Sequence, residues 1–319
     1  MTLALLATSH SPLLEHADLP AELTAELDAA FAEARRFVRD FDPDLIVSIA
    51  PDHYNGFFYR LMPPFCIGYA AESIGDYGSR AGRLDVPEDL ARGLAEAVLD
   101  DGIDVAVSLD MQVDHGAVQP LEIVYGDIAA KPVVPVFVNS VAPPFTPLRR
   151  VRLLGESIGR HLGGLAGRVL LISSGGLSHD PPVPTLATAT AEQRRMLLGQ
   201  AVPLPPEARA ARQQRVIDTA RDFAAGTAAI QDLAPEWDRE LLRVLASGDL
   251  TPLDSWTPAE MARAAGNSAH EVRTWIAGYA ALGAAGPYSV RYRYYRPIRE
   301  LIAGFAVTTA APACRCRPR

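Results

Sequence analysis

Short apolar runs alternate along the chain with longer stretches in which apolar residues recur every three or four positions. The runs lie at residues 3–7, 45–50, 105–109, 133–139 and 169–173. Such short, nearly continuous runs read as buried strands. The longer stretches read as amphipathic helices. Residues 21–41 carry Leu23, Leu27, Phe31, Ala34 and Phe37 as a stripe, and 87–100 carry Leu90, Leu94 and Val98 behind Pro87, which suits a first helical turn. A third helix is expected at 147–162. Strands alternating with helices predict an α/β fold in three layers, α/β/α, around a largely parallel or mixed central sheet.

The texture changes after Asp180. A proline-rich crossing, PPVPTL, leads into an Ala- and Arg-rich helical stretch from 190 to about 226, interrupted at 199–206, so two helices are expected. Another short helix is expected at 237–246, and Thr257, Pro258 and Glu260 form a helix start with an N-cap hydroxyl, a first-turn proline and an acid at the third position. No repeat or low-complexity linker divides the halves. The whole, 1–319, reads as one catalytic domain with a helical C-terminal half, the mainly helical segment lying at about 185–285.

Composition narrows the class. The chain has 319 residues, 49 % hydrophobic, enough for a large core. A net charge of −8 argues against nucleic acid as a partner, which would call for a basic face. No apolar run approaches the roughly 18 residues needed to span a bilayer, and the start MTLALLATSHSP lacks the basic region of a signal peptide. Of three cysteines, Cys66 is isolated, and Cys314 and Cys316 sit in a basic tail. There is no disulfide framework or zinc-ribbon spacing, so a cytoplasmic protein with no membrane association is expected.

The chemistry lies in the histidines. Of seven, four share an address: His10 ends the first apolar run, His53 follows the second, His115 follows the third through MQVDHG, and His179 follows the last through SGGLSH. Parallel strands gather their carboxyl ends on one edge of a sheet, where ligands bind, so these four are expected to share a site. His16, in a charged segment, and His161, late in a helix, lack that address.

Clustered neutral imidazoles suit a transition metal, and a carboxylate would complete a facial set with open positions. Glu271 in GNSAHEVRTW is the best candidate, but Ser268-x-x-Glu271 also has the spacing of a capping box, in which the acid serves its own helix. Both readings stand on the sequence. Glu240, flanked by charges, is a weaker candidate. No Gly-x-Ser-x-Gly elbow, phosphate-binding loop or dinucleotide fingerprint is present. Ser178, His179 and Asp180 are contiguous and cannot form a nucleophile–base–acid relay. A zinc hydrolase would leave two histidines unexplained.

SHSPL at His10, APDHYNGFFY at His53, MQVDHG at His115, SSGGLSHDPPVP at His179, WDRELL, GNSAHEVRTW and RYYRPIRELIAGF, in that order, together resemble the class III extradiol ring-cleavage dioxygenases, the superfamily of the protocatechuate 4,5-dioxygenase catalytic subunit. The likeness is greatest to the bacterial branch acting on 2,3-dihydroxyphenylpropionate, and only about the last ten residues fall outside it. The resemblance implies Fe(II) held by His10, His53 and Glu271, with His115 and His179 as the two catalytic histidines that are not ligands. It implies ring opening of a 3-substituted catechol, such as 2,3-dihydroxyphenylpropionate or 2,3-dihydroxycinnamate, by O2 to a 2-hydroxy-6-oxo-dienedioate. By the same analogy, His115 would donate a proton as the O–O bond breaks and His179 would accept one from the catechol hydroxyl; the sequence itself does not assign these roles.

Asp114 and Asp180, beside those histidines, are expected either to orient them or to cap loops. Tyr54, Asn55 and Phe57 are expected at the pocket wall. A substrate carboxylate would suit an arginine fork, and Arg291, Arg293, Arg296 and Arg299 are available, although a solvated, aromatic-backed edge is the simpler reading of that stretch. A homo-oligomer is expected. Two alternatives remain: a metal-binding or interaction protein of this fold without oxygenase activity, and a zinc-dependent catechol dioxygenase.

Overall fold

In the computed structural model of the protein, which describes residues 2–200 and 205–313, four of the five apolar runs form the middle of one sheet. The first half holds β1 (Thr2–Thr8), α1 (Ala21–Phe41), β2 (Leu45–Ala50), β3 (Phe65–Gly68), β4 (Ala71–Ile74), β5 (Ala81–Arg83), α2 (Glu88–Asp100), β6 (Ala106–Ser108), β7 (Met111–Val113), α3 (His115–Tyr125) and β8 (Val133–Val138). The second holds α4 (Leu148–Gly164), β9 (Arg168–Ser174), α5 (Ala191–Leu197), α6 (Pro206–Ala224), α7 (Pro235–Ser247), α8 (Pro258–Ala265), α9 (Val272–Ala284), β10 (Tyr288–Ile298) and β11 (Ala303–Pro312). The tail cysteines Cys314 and Cys316 lie outside the described residues.

The eight-stranded sheet runs β10-β11-β1-β9-β2-β8-β3-β6. Strands β1, β9, β2 and β8 are parallel, with Thr8 opposite Ser174 and Ile46 opposite Leu170. Strands β11 and β3 flank them antiparallel, which makes the sheet mixed. Alternation along β1 assigns its two faces. Leu3, Leu5 and Ala7 pack under α2, α4 and α9, while Ala4 and Leu6 pack under α1 and α3. Helix α9 lies hard against α4 because Gly155 and Gly159 face it: a Cβ at either would collide with the carbonyl of Ala277 or Ala281. The segment delivering Glu271 is therefore seated on a close helix pair.

The run at 105–109 behaves differently from the expectation. Only Ala106–Ser108 is extended, at the sheet edge, with Val107 and Leu109 exposed. Because β3 opposes β8 and β6 follows β3, β6 points against the central strands. Apolar runs do not reveal direction, and an edge strand can be as apolar as a core one. The chain turns back through β7, in a small sheet ordered β5-β4-β7, before reaching His115. Among the described residues, no helix is long and apolar enough to cross a membrane.

The expected break between two helices after Thr190 is seen as α5 and α6. Thr257 caps α8 as its sequence suggests, accepting from the Glu260 amide while the Glu260 carboxylate accepts from the Thr257 amide.

Candidate active site

Three of the four histidines stand just past adjacent parallel strands, β1, β9 and β2. His10 follows β1, and its Nδ1 lies 2.9 Å from the Ser174 hydroxyl at the end of β9. His53 sits in a loop closed by the buried Asp52, whose carboxylate accepts from the amides of Asn55, Gly56 and Phe57. Its amide and its Nδ1–H both donate to Asp114 Oδ2, at 2.8 and 3.0 Å. His179 donates through Nδ1–H to the Leu177 carbonyl at 2.9 Å. In each ring Nδ1 is occupied, so Nε2 is the atom left to face the others.

Glu271 lies where they meet. Its Oε1 is 3.2 Å from His53 Nε2 and 3.1 Å from His179 Nε2, and its Oε2 is 3.5 Å from His10 Nε2 and accepts from the Gly176 amide at 2.9 Å. Ser268 makes no side-chain capping bond, so the carboxylate is spent on the site and not on its own helix. Two bonds pin the segment: Thr274 donates to the Ser174 carbonyl and Trp275 Nε1 to the Gly175 carbonyl. The neighbouring His270 turns away against Phe145.

His115 arrives by another route. It is the first residue of α3, capped by Asp114, which accepts from the Gly116 amide. Gly116 matters here, since a Cβ would sit 3.1 Å from His53 Cε1 and 3.3 Å from His10 Cε1. Asp76 holds His115 twice, accepting from its amide at 2.8 Å and its Nδ1–H at 2.6 Å. The ring nitrogens of His10, His53 and His115 offer donors within 4.8 Å of one another. The rings of His53 and His115, however, are stacked at 4.7 Å with 21° between planes, whereas His10 and His53 meet at 83°. Imidazole lone pairs lie in the ring plane. Stacked rings cannot aim theirs at one nearby ion, and crossed rings can.

Burial sets the charges. It pushes His10 down to about 3, so this imidazole is neutral. Burial would also lower His53, but the Asp114 and Glu271 carboxylates outweigh it and hold His53 well above its usual value. The same balance, with Glu271 as the counter-charge, raises His179. For Glu271, burial opposes ionisation, and the charge of His179 together with hydrogen bonds from His179 and His53 overcomes it, leaving the acid well below the carboxylate range. Asp52 is pushed up to about 7 by burial and by Asp114. Once His53 gives up its Nε2 proton, a step that a bound cation favours, a neutral His10, a His53 oriented by Asp114 and an ionised Glu271 form a donor set that suits a divalent metal ion.

The site opens into a cavity of about 570 Å³. His10, His53, His115, His179 and Glu271 all line it, as does Asn55, whose amide donates to Asp114. Tyr54 and Phe57, expected beside Asn55 at the wall, pack elsewhere: Tyr54 is buried near Tyr59 with φ of 58°, and Phe57 stacks on Phe137 at 3.9 Å. Asp114 orients His53 and caps α3, not its neighbour His115. Asp180 braces loops by accepting from Gln231 and Asn267. Glu240 is on the surface, paired with Arg243. In the same WDRELL motif, Asp238 is buried and accepts from the Ser178 amide and hydroxyl and from Tyr295. Sequence reading missed Asp76, Ser174, Asp238 and Tyr77, whose ring edges against His115 at 5.1 Å. Only Asp76-Tyr77-Gly78 carried a hint, as turn residues between two short strands.

Residues 4–306 match the family described as the catalytic LigB subunit of aromatic ring-opening dioxygenase. The chain is 61 % identical over 311 residues to the 2,3-dihydroxyphenylpropionate/2,3-dihydroxicinnamic acid 1,2-dioxygenase of Rhodococcus rhodochrous, covering 97 % of this chain and 98 % of that one. It is 59 % identical to the protein of the same name from Rhodococcus globerulus, with the same coverage. Among solved structures, an uncharacterised protein from Escherichia coli K12 shares the fold, with a TM-score of 0.50 at 15 % identity over 96 % of this chain and 98 % of that one. With a family match over nearly its whole length and relatives this similar, the chain belongs to the LigB family of extradiol ring-opening dioxygenases.

Proposed function

We propose that this enzyme is an Fe(II)-dependent dioxygenase that opens a 3-substituted catechol beside its two hydroxyls, with 2,3-dihydroxyphenylpropionate or 2,3-dihydroxycinnamate as substrate and O2 as co-substrate. The observation that carries this reading is Glu271, set among the Nε2 atoms of His10, His53 and His179 with no capping duty of its own. His10, His53 and Glu271 would hold the iron. His10 crosses both His53 and His115 at near right angles, so the 3.2 Å approach of His53 Nε2 to Glu271 is what favours His53 as the co-ligand, and its stacking on His115 argues against both of those rings binding one ion. The relatives named for these substrates support the choice of catechol.

Iron bound at this face would bring the catechol oxygens and O2 together and lower the cost of losing the phenolic protons. The chain's own residues do the rest. His179, its Nδ1–H tied to Leu177, faces the Glu271 carboxylate through Nε2; with a metal drawing that carboxylate away, Nε2 would be free to accept a hydroxyl proton. His115, its Nδ1–H tied to Asp76, lines the same cavity and would supply through its other nitrogen the proton that O–O cleavage requires. Two histidines fixed by different partners can thus serve two proton transfers without exchanging roles. The cavity volume is ample for a catechol with a three-carbon side chain.

The test is anaerobic Fe(II) loading followed by 2,3-dihydroxyphenylpropionate and oxygen. Stoichiometric O2 uptake with growth of a yellow ring-opened product is expected. No yellow product from any 3-substituted catechol would overturn the reading, and activity with zinc but not iron would overturn the choice of metal.

A further inference from the structure

The proposed substrates carry a carboxylate, and nothing among the metal-facing residues is suited to bind one. The four arginines of the C-terminal stretch do not reach the cavity. Arg291 donates to the Pro312 carbonyl, Arg293 to the Leu242 carbonyl, Arg296 to Glu26, and Arg299 to Asp232 and the Phe223 carbonyl. They brace the sheet edge and the helices beside it. The cavity has a different positive wall. Helix α6 turns Arg209 and Arg212 into it, one turn apart on one face, both half-buried.

Arg212 is the better placed. One of its terminal nitrogens donates to the His53 carbonyl at 2.6 Å, which holds the guanidinium beside the loop bearing a proposed metal ligand. Neither Arg212 nor Arg209 forms an ion pair with any described residue. A guanidinium has five N–H donors, and one backbone carbonyl uses one of them. What remains is a planar fork, half removed from water, whose natural complement is a carboxylate.

We propose that Arg212 binds the side-chain carboxylate of the substrate, with Arg209 supplying a second positive charge, so that the helical segment selects the catechol while the strand ends transform it. The proposal rests on the catechol reading above and adds the recognition residue to it. A carboxylate held there orients the ring, because the reacting end and the charged end are then both fixed.

The experiment compares Arg212→Ala, Arg212→Gln and wild type on 2,3-dihydroxyphenylpropionate and on 3-propylcatechol, which has the same chain length without the charge. Losing a charge-assisted pair should lower the ratio of kcat/KM for the acid over the neutral catechol by about 10- to 100-fold, mainly through KM. Arg212→Gln removes the charge and the fork and leaves a shorter amide, and because any loosening of the His53 loop burdens both substrates alike, the ratio isolates recognition. It separates recognition from bracing of the loop should the alanine variant fold poorly. A ratio unchanged in Arg212→Gln, whether both substrates suffer equally or neither does, overturns the proposal. Calorimetry of the metal-free chain with 3-phenylpropionate, which has the carboxylate and no catechol, supplies a readout independent of turnover. Its binding should weaken in both variants, and equal binding by wild type and variants would overturn the anchor. If wild type cleaves neither catechol, the catechol reading fails, and the calorimetry still decides the anchor.

Discussion

The two walls of the cavity are built on different principles. One is the carboxyl edge of the parallel strands, where His10, His53 and His179 stand within a few residues of β1, β2 and β9 and each Nδ1 is fixed by a buried partner. The other is the helical segment α5–α6, whose cavity-lining side chains include the half-buried Arg209 and Arg212 and the exposed Arg195 and Arg215. The first wall has little freedom because a metal and a proton transfer tolerate errors of a fraction of an ångström. The second needs only a charge at the right depth. In the proposed division, chemistry is placed on the core and recognition on a helical segment joined to it where Arg212 donates to the His53 carbonyl.

The hardest blow to that division is Glu271→Ala. It removes the acid at the centre of the rigid wall, and we expect metal content to fall toward background together with ring cleavage. Stoichiometric metal in this variant would mean that the carboxylate is not a ligand and that the rigid wall works otherwise. His115→Ala and His179→Ala sharpen the point. Each should keep its metal while losing about 10²- to 10⁴-fold in turnover, the usual contribution of a positioned acid or base. Metal analysis beside single-turnover kinetics distinguishes the two kinds of loss.

The rigid wall was legible in the sequence and the helical one was not, for a physical reason. A continuous apolar run that stops at a histidine announces both a strand and its end, so His10, His53 and His179 could be grouped before any coordinates. His115 joined them on a partly false premise, since β6 runs against the central strands and the residue is delivered by α3. Glu271 could not be separated from a capping acid, because both roles ask for the same residue at the same spacing. Arg209 and Arg212, in an Ala- and Arg-rich helix, look like any solvated face until tertiary structure shows what that face covers. Asp76 and Asp238 escaped for a similar reason: their partners are 39 and 60 residues away.

Asp238 tests how far the rigidity extends. Its carboxylate gathers the Ser178 amide, the Ser178 hydroxyl and the Tyr295 hydroxyl, one residue before His179. Asp238→Ala strands those donors in the interior, and we expect a stability loss of about 3 kcal/mol by denaturant titration. The gap should also depend on pH. Burial holds the Asp238 carboxyl above its unfolded value, so its contribution is greatest below the unfolded pKa and declines as pH rises through the folded one. The difference between wild type and variant should therefore narrow from acid toward neutral pH. A gap that widened over that window would mean Asp238 is held ionised by its donors.

The smallest effect is expected at the sheet edge. Arg296 forks onto Glu26 at 2.9 and 2.8 Å, but both side chains are substantially exposed, at 50 % and 31 %. Exposed pairs are worth about 0–1 kcal/mol, so Arg296→Ala should barely move the unfolding midpoint. The more telling measurement is substrate preference. Arg296 lies on β10, the outermost strand, and is not among the described residues lining the cavity. The ratio of activity on 2,3-dihydroxyphenylpropionate to that on 3-propylcatechol should stay at the wild-type value in Arg296→Ala, while it falls in Arg212→Gln. A fall in Arg296→Ala instead would move carboxylate recognition from the helices to the sheet edge, and the contrast between a rigid catalytic wall and a helical selecting wall would not survive it.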